Sequence, residues 1–256
     1  MKKIFKTFSF AVRRFLAQHC KPILRCYYKH LWKPAAGSLA AHIDAFSKSL
    51  NSVRFIQVGS NDGIQHDPLH KFIIRDRWSG ILTEPQPEAY QLLKKLYYGM
   101  DIMPLNAAVD SHVSGRILYR ISFTRQRWAT GLSSFNRSQI EKVIESGYVD
   151  KRCKKEGVTP PADKKDYIEE IKVKCMSFSE ILGRWPVEEG IDLLHVDTEG
   201  YDYEILKQFD FNRSKPGMVI FEHSHLSEAD YAAAVSMLES FGYKSTRLSS
   251  DTVATK

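Results

Sequence analysis

No aspartate or glutamate occurs before Asp44, although Lys2, Lys3, Lys6, Arg13, Arg14, Lys21, Arg25, Lys29 and Lys33 all precede it. Setting those nine aside leaves 28 of the 37 Lys and Arg against 30 Asp and Glu, so the net charge of +7 belongs to the N-terminal segment. The body is close to neutral, which excludes a basic groove and with it a nucleic-acid partner. No apolar run reaches transmembrane length, and Arg13-Arg14 cuts short the apolar stretch an export signal needs. Cysteine is scarce: Cys20, Cys26, Cys153 and Cys175 form no C-x-x-C pair and have no His at zinc-finger spacing. That excludes a structural zinc and a disulfide framework, and points to free thiols in a reducing cytosol. The dinucleotide fingerprint G-x-G-x-x-G is also missing.

What is present is a 256-residue chain, 43% hydrophobic, long enough to bury a sizeable core. It divides into a basic segment, 1–37, and one α/β domain, 38–256. In the segment, Ile4, Phe8, Ala11, Val12 and Phe15 share one helical face while Lys3, Lys6, Arg13 and Arg14 lie mostly elsewhere. This predicts a basic amphipathic helix interrupted at Pro22. Such a helix either lies on an anionic membrane surface through residues 1–33, at the cytoplasmic face, or docks on its own domain.

From residue 38 onward, strand-length apolar runs alternate with helical stretches, the pattern of a parallel sheet covered by helices. Strands are predicted at 53–58, 80–84, 101–105, 115–122, 168–175, 191–196, 218–222 and 243–248. Helices are predicted at 39–50, 67–75, 87–98, 136–146, 177–184, 201–209 and 227–241. Residues 148–166, rich in charge and carrying Pro160-Pro161, break the rhythm and read as a surface insertion or lid.

Ligands of open α/β sheets bind beyond the carboxyl ends of the strands, and the residues there are strongly polar. They are VGSNDG (Val58 to Gly63), LTEPQPEAY with Glu84, PLNAAVD with Asn106, HVDTEG with Asp197 and Glu199, and FEHSH with Glu222, His223 and His225. Gly59 and Gly63 allow a sharp turn close to a ligand, and Glu84 falls where an acid would reach a ribose diol. Asp62, Glu84 and Asp197 together would make an electronegative rim. That rim repels a pyrophosphate and suits S-adenosylmethionine, whose sulfonium and α-ammonium are cationic.

These motifs resemble the FkbM-type family of S-adenosylmethionine-dependent methyltransferases. FIQVGSNDG, ILTEPQPEAYQLLKK, PLNAAVD, IDLLHVDTEGYDYEIL and VIFEHSHL follow in family order across roughly residues 53–245. The resemblance implies a class I methyltransferase fold, Rossmann-like, with a seven-stranded, mostly parallel sheet in order 3-2-1-4-5-7-6 and helices on both faces. It implies methylation of a hydroxyl on a glycan, glycolipid or secondary metabolite. It places Gly59, Ser60, Asn61, Asp62, Gly63, Glu84, Asn106 and Ala107 around the cofactor, with Asp197 and Glu199 near its methyl group. The chain departs from the family in having Gln57 where an acid is common, so that Asp62 would take over part of that role. It also has His195 where a Lys often precedes the D-x-E-G motif.

Methyl transfer needs an aligned acceptor oxygen, a dry site and a base. His195 and Asp197 point to the same side of one strand, and a His beside a carboxylate suits the base, with Glu222 and His223 near the acceptor. His195, Asp197, Glu222, His223 and His225 would also suit a divalent metal, although the resemblance implies none. ATGLSSF (Ala129 to Phe135), beside Trp128, reads as a segment closing over adenosine or holding a sugar face. Competing readings are a nicotinamide-dependent oxidoreductase on a Rossmann sheet and a membrane-tethered module with a vestigial cofactor site.

Overall fold

The computed structural model describes residues 10–185 and 190–256. It opens with helices α1 (Phe10–His19), α2 (Lys21–His30) and α3 (Leu39–Ser49). Then come β1 (Arg54–Val58), α4 (His70–Asp76), β2 (Ser79–Thr83), α5 (Pro87–Leu96) and β3 (Ile102–Leu105). An excursion follows through β4 (Ala108–Val109), β5 (Gly115–Ile121), α6 (Arg127–Thr130), α7 (Arg137–Glu145), α8 (Tyr148–Glu156) and β6 (Ile168–Met176). The chain returns through α9 (Phe178–Leu182), β7 (Leu193–Val196), α10 (Asp202–Gln208), β8 (Met218–Glu222), α11 (Glu228–Ser240), β9 (Lys244–Leu248) and β10 (Asp251–Thr255).

The main sheet has seven strands in the order β3-β2-β1-β7-β8-β10-β9. Counting only its own strands, this is 3-2-1-4-5-7-6, the order the resemblance implies. β10 runs antiparallel to both β8 and β9, and the other pairs are parallel. The central strands read as near-continuous apolar runs because helices cover both faces. On one face Leu194, Val196 and Phe221 pack with Ile205, Leu206, Ala234 and Leu238. On the other, Phe55, Leu193 and Ile220 pack with Ile43, Phe72, Trp78 and Leu93.

The second of these layers also contains Leu24 and Tyr28 of α2, which are 0% and 1% exposed. Tyr28 meets His70 and Trp32 edge-on, Arg25 Nε donates to the Arg75 carbonyl at 3.0 Å, and Lys21 Nζ to that of Tyr98 at 3.0 Å. The described helices thus dock on the domain. The chain breaks at Cys20, and Pro22 sits in the first turn of α2, where a missing N–H costs nothing. Lys2, Lys3, Ile4, Lys6 and Phe8 lie outside the described residues.

The structure adds to or alters three of these readings. The strands at 115–122 and 168–175 do not join the main sheet: β5 and β6 pair antiparallel in a second sheet of order β4-β6-β5. Residues 148–156 form α8, which buries Val149 and Cys153 against Trp128, Ile140 and Ile144 despite its high charge. The last strand of the chain is β10 rather than 243–248, because DTVAT gains its strand partners only when β8 and β9 flank it.

Candidate active site

Register brings the strand ends level. Val58 pairs with both Thr83 and Val196, and Val196 pairs with Phe221. The residues that follow, Gly59, Glu84, Asp197 and Glu222, therefore stand side by side at the carboxyl edge of the sheet. The amides of Gly59 and Ser60 both donate to the Thr83 carbonyl at 3.1 Å, folding the chain back sharply. Gly59 has φ +82°, and a Cβ there would overlap the Asp197 carbonyl oxygen, so glycine is required.

Glu84 is 3% exposed, and its carboxylate accepts the amides of Asn61 at 2.8 Å and Gln86 at 2.9 Å. Burial nevertheless pushes its carboxyl above the usual range. The Asn106 side chain donates to the carbonyls of Glu84 (2.9 Å) and Pro85 (3.0 Å), fixing the turn beneath the carboxylate. The segment after α6 is tied over the same place: Thr130 Oγ1 donates to Asn61 Oδ1 at 3.0 Å, and Gln86 Nε2 donates to the Thr130 carbonyl at 3.0 Å. Between these walls lies a cleft lined by Gly59, Asn61, Glu84, Arg127, Phe135 and Asp197, among others.

Asp197 and Glu199 also line a wider neighbouring groove with Trp128, Tyr148, Glu222 and His225. Acidic charge accumulates here. Burial, then Glu222 and Glu199, hold the Asp197 carboxyl well above the usual range. Burial and Glu222 raise Glu199 to about 8 and Asp202 to about 8. Asp202 accepts the amides of Thr198 and Gly200, each at 3.2 Å, and so shapes the D-x-E-G loop. Glu199 sits in the left-handed region at φ +54°, a strained conformation of the kind concentrated at functional sites. His225 Nε2 lies 3.3 Å from Glu199 and 3.7 Å from Glu222. Ligand atoms of Glu199, Glu222 and His225 all fall within 4.8 Å of one another, a set suited to a divalent cation. It differs from the set expected from sequence by including Glu199 and omitting His195, Asp197 and His223.

Gly59, Asn61, Glu84, Asp197 and Glu199 line the cleft, and Glu222 faces the groove. Five other expected cofactor residues stand behind it. Ser60 is buried against the Gln57 carbonyl, and Gly63 packs on Leu93, Leu96 and Tyr97. Asn106 is the strap described above, and Ala107 is core, its neighbours Ala108 and Val109 reaching the cleft instead. Asp62 is not among the residues lining the cleft; its carboxylate accepts the amides of Ile64 at 3.0 Å and Gln65 at 2.9 Å and borders the neighbouring depression with Asn61 and Arg127. Gln57 Nε2 donates to Asp67 at 3.2 Å, and burial raises that carboxyl to about 6.

The two histidines expected at the acceptor are not among the residues lining the cleft or the groove. His195 is 1% exposed, both ring nitrogens are without partners among the described residues, and burial lowers its pKa to about 3. His223 is pinned between Thr252 Oγ1 at 3.0 Å and Arg247 Nε, which donates to its Nε2 at 2.9 Å. The residues that sequence reasoning missed are Arg127 and Tyr201, both lining the cleft. Arg127 directly precedes the Trp128 and ATGLSSF stretch that was singled out, but no pattern in the chain distinguishes it from Arg125.

The sequence model of the methyltransferase FkbM domain matches residues 57–245. No curated protein matches the chain. Among solved structures it is similar to the methyltransferase FkbM from Methylobacillus flagellatus KT, at 12% identity and TM-score 0.48 over 91% of this chain and 50% of that one. This chain thus spans about half the length of that protein. It is also similar to precorrin-6y C5,15-methyltransferase from Geobacter metallireducens GS-15, at 9% identity and TM-score 0.41 over 88% of this chain and 94% of that one. The family match begins at Gln57, inside β1, and takes in every strand end that forms the cleft, and on that match the chain belongs to the FkbM methyltransferase family.

Proposed function

We propose that the protein is an S-adenosylmethionine-dependent O-methyltransferase that methylates a hydroxyl of a glycan, glycolipid or secondary metabolite. One observation carries the reading: level strand ends gather Gly59, Glu84 and Asp197 around a cleft that shares Asp197 and Glu199 with a second groove. The first suits the cofactor. Gly59 brings backbone close, the fixed Glu84 carboxylate offers acceptors to a ribose diol, and the acidic cluster favours a cation. The second suits a hydroxylated acceptor, with Trp128 and Tyr148 as flat apolar surfaces beside polar groups. A pyrophosphate cofactor fits poorly. The helix after the glycine turn, α4, already has the Asp67 carboxylate on its first amides, 2.7 Å from that of Leu69 and 2.9 Å from that of His70.

When bound, S-adenosylmethionine supplies a methyl group already activated on a sulfonium. The chain holds the acceptor oxygen in line, excludes water and takes one proton. His195 is too deep and too weakly basic for that last task. Glu222 and His225 on the groove side receive the proton instead. We assign the exposed basic and apolar residues of α1 and α2 to peripheral contact with an anionic membrane surface on the cytoplasmic side.

The reading is tested by calorimetric titration with S-adenosylmethionine and S-adenosylhomocysteine. Micromolar binding that Glu84→Gln weakens is expected. Absence of binding, with NADH binding in its place, would overturn it.

A further inference from the structure

Arg127 stands where three depressions meet: the cofactor cleft, the groove with Glu222 and His225, and a third lined by Asn61, Gln65, Gln126 and Arg152. Its neighbours are neutralised. Arg120 and Arg125 share Glu88 and Glu169, and Arg152 pairs with Glu156. Arg127 forms no ion pair and no side-chain hydrogen bond with any described residue, and its Nε is buried without an acceptor. A guanidinium carries five donors in a fixed fork, and leaving them unbonded in a part-buried site is costly. Gly131 keeps room for it: a Cβ there would overlap an Arg127 guanidinium nitrogen and lie 3.4 Å from a Glu199 carboxylate oxygen. Arg127 and Glu199 therefore both border the space beside Gly131, and no ion pair joins them.

A lone cation facing a carboxylate cluster across such a space is the complement of a zwitterion. An α-amino acid end carries an ammonium and a carboxylate on one carbon, and a guanidinium fork matches the carboxylate in two-point fashion. We infer that Arg127 binds the α-carboxylate of the amino-acid end of the cofactor, while Asp197 and Glu199 face its ammonium. The assignment rests on the cofactor reading above. It makes Arg127 a binding residue that sets which way round the cofactor lies, adenosine toward Glu84 and Phe135, sulfur toward the groove.

Calorimetry on the full chain with three probes tests this: S-adenosylhomocysteine, decarboxylated S-adenosylmethionine, which keeps the amine, and 5′-methylthioadenosine, which lacks the whole amino-acid end. Arg127→Met should weaken S-adenosylhomocysteine by about tenfold or more and leave the two carboxylate-free probes unchanged. Arg127→Lys should restore part of the loss, and circular dichroism of both variants should match the parent. Equal weakening of all three probes in either variant would overturn the role, as would unchanged affinity for S-adenosylhomocysteine, which would move Arg127 to an anionic group of the acceptor. If the unsubstituted chain binds none of the probes, the cofactor reading itself falls, and this assignment with it.

Discussion

A methyl group at position 59 is the smallest change that probes the site. Gly59→Ala must leave φ +82° or push the Asp197 carbonyl away, and both break the level strand ends. It should cost at least about 2 kcal/mol in urea unfolding and abolish S-adenosylhomocysteine binding; a stable, binding variant would show that the turn is not the cradle. Titration gives a second residue-scale prediction. Glu199 and Asp202 have pKa values raised to about 8, so the folded state holds protons that the unfolded chain releases near pH 4, and stability from this source falls as pH rises toward 8. His195 and His70, both lowered to about 3, act oppositely. The unfolded chain protonates them below about pH 6.5 and the folded state resists, so stability is lost as pH falls from there. Glu199→Gln should flatten the alkaline limb of a stability profile, and His195→Leu should raise stability at pH 5 while leaving cofactor affinity intact; loss of cofactor affinity in His195→Leu would return that residue to the site. Residue types were legible in the sequence: Gly59, Glu84, Asp197 and Glu222 follow apolar runs and stand where expected. What one dimension hides is whether a side chain is already spent. Asp62, Asn106 and His223 have the right chemistry and use it on their own backbone or neighbours.

At the scale of elements, α2 distinguishes an appendage from a structural layer. Leu24→Ala in the full chain should cost about 2–5 kcal/mol, because Leu24 is 0% exposed in the same cluster as Phe55 and Trp78. A change near zero would mean that the helix leaves the domain easily. Strongly periodic elements, such as α5 and α7, were legible within a residue or two of their ends. The errors fell where non-local pairing decides. β5 and β6 carry strand patterns as good as β1, and only their mutual antiparallel register takes them out of the main sheet. β10 is short and begins with Asp251, so nothing local marks it as a central strand. α8 has a thin apolar stripe, Val149 and Cys153, and becomes recognisable only against Trp128.

For the whole molecule the question is where the positive charge goes once α1 and α2 have docked. Docking consumes Ala17, Leu24 and Tyr28 but leaves Phe15, Ile23 and Leu31 at 58%, 57% and 61% exposed, among Arg14, Lys21, Arg25, Lys29 and Lys33. Among the described residues no helix is long and apolar enough to cross a membrane, so contact would be peripheral. Each cation near an anionic surface contributes about 1 kcal/mol, and partly inserted apolar side chains add to it. The sum makes binding dependent on anionic lipid and weakened by salt. Cosedimentation of the full chain with phosphatidylcholine vesicles, with and without phosphatidylglycerol, should show binding only to the anionic set and release at high salt. A Phe15→Ser, Ile23→Ser, Leu31→Ser variant should keep the parent melting temperature, since none of the three is buried, and lose most of the binding. Equal binding to neutral vesicles, or none to either, would mean that the exposed face of these helices meets something other than a charged bilayer, and would remove the reason to look for the acceptor among glycolipids.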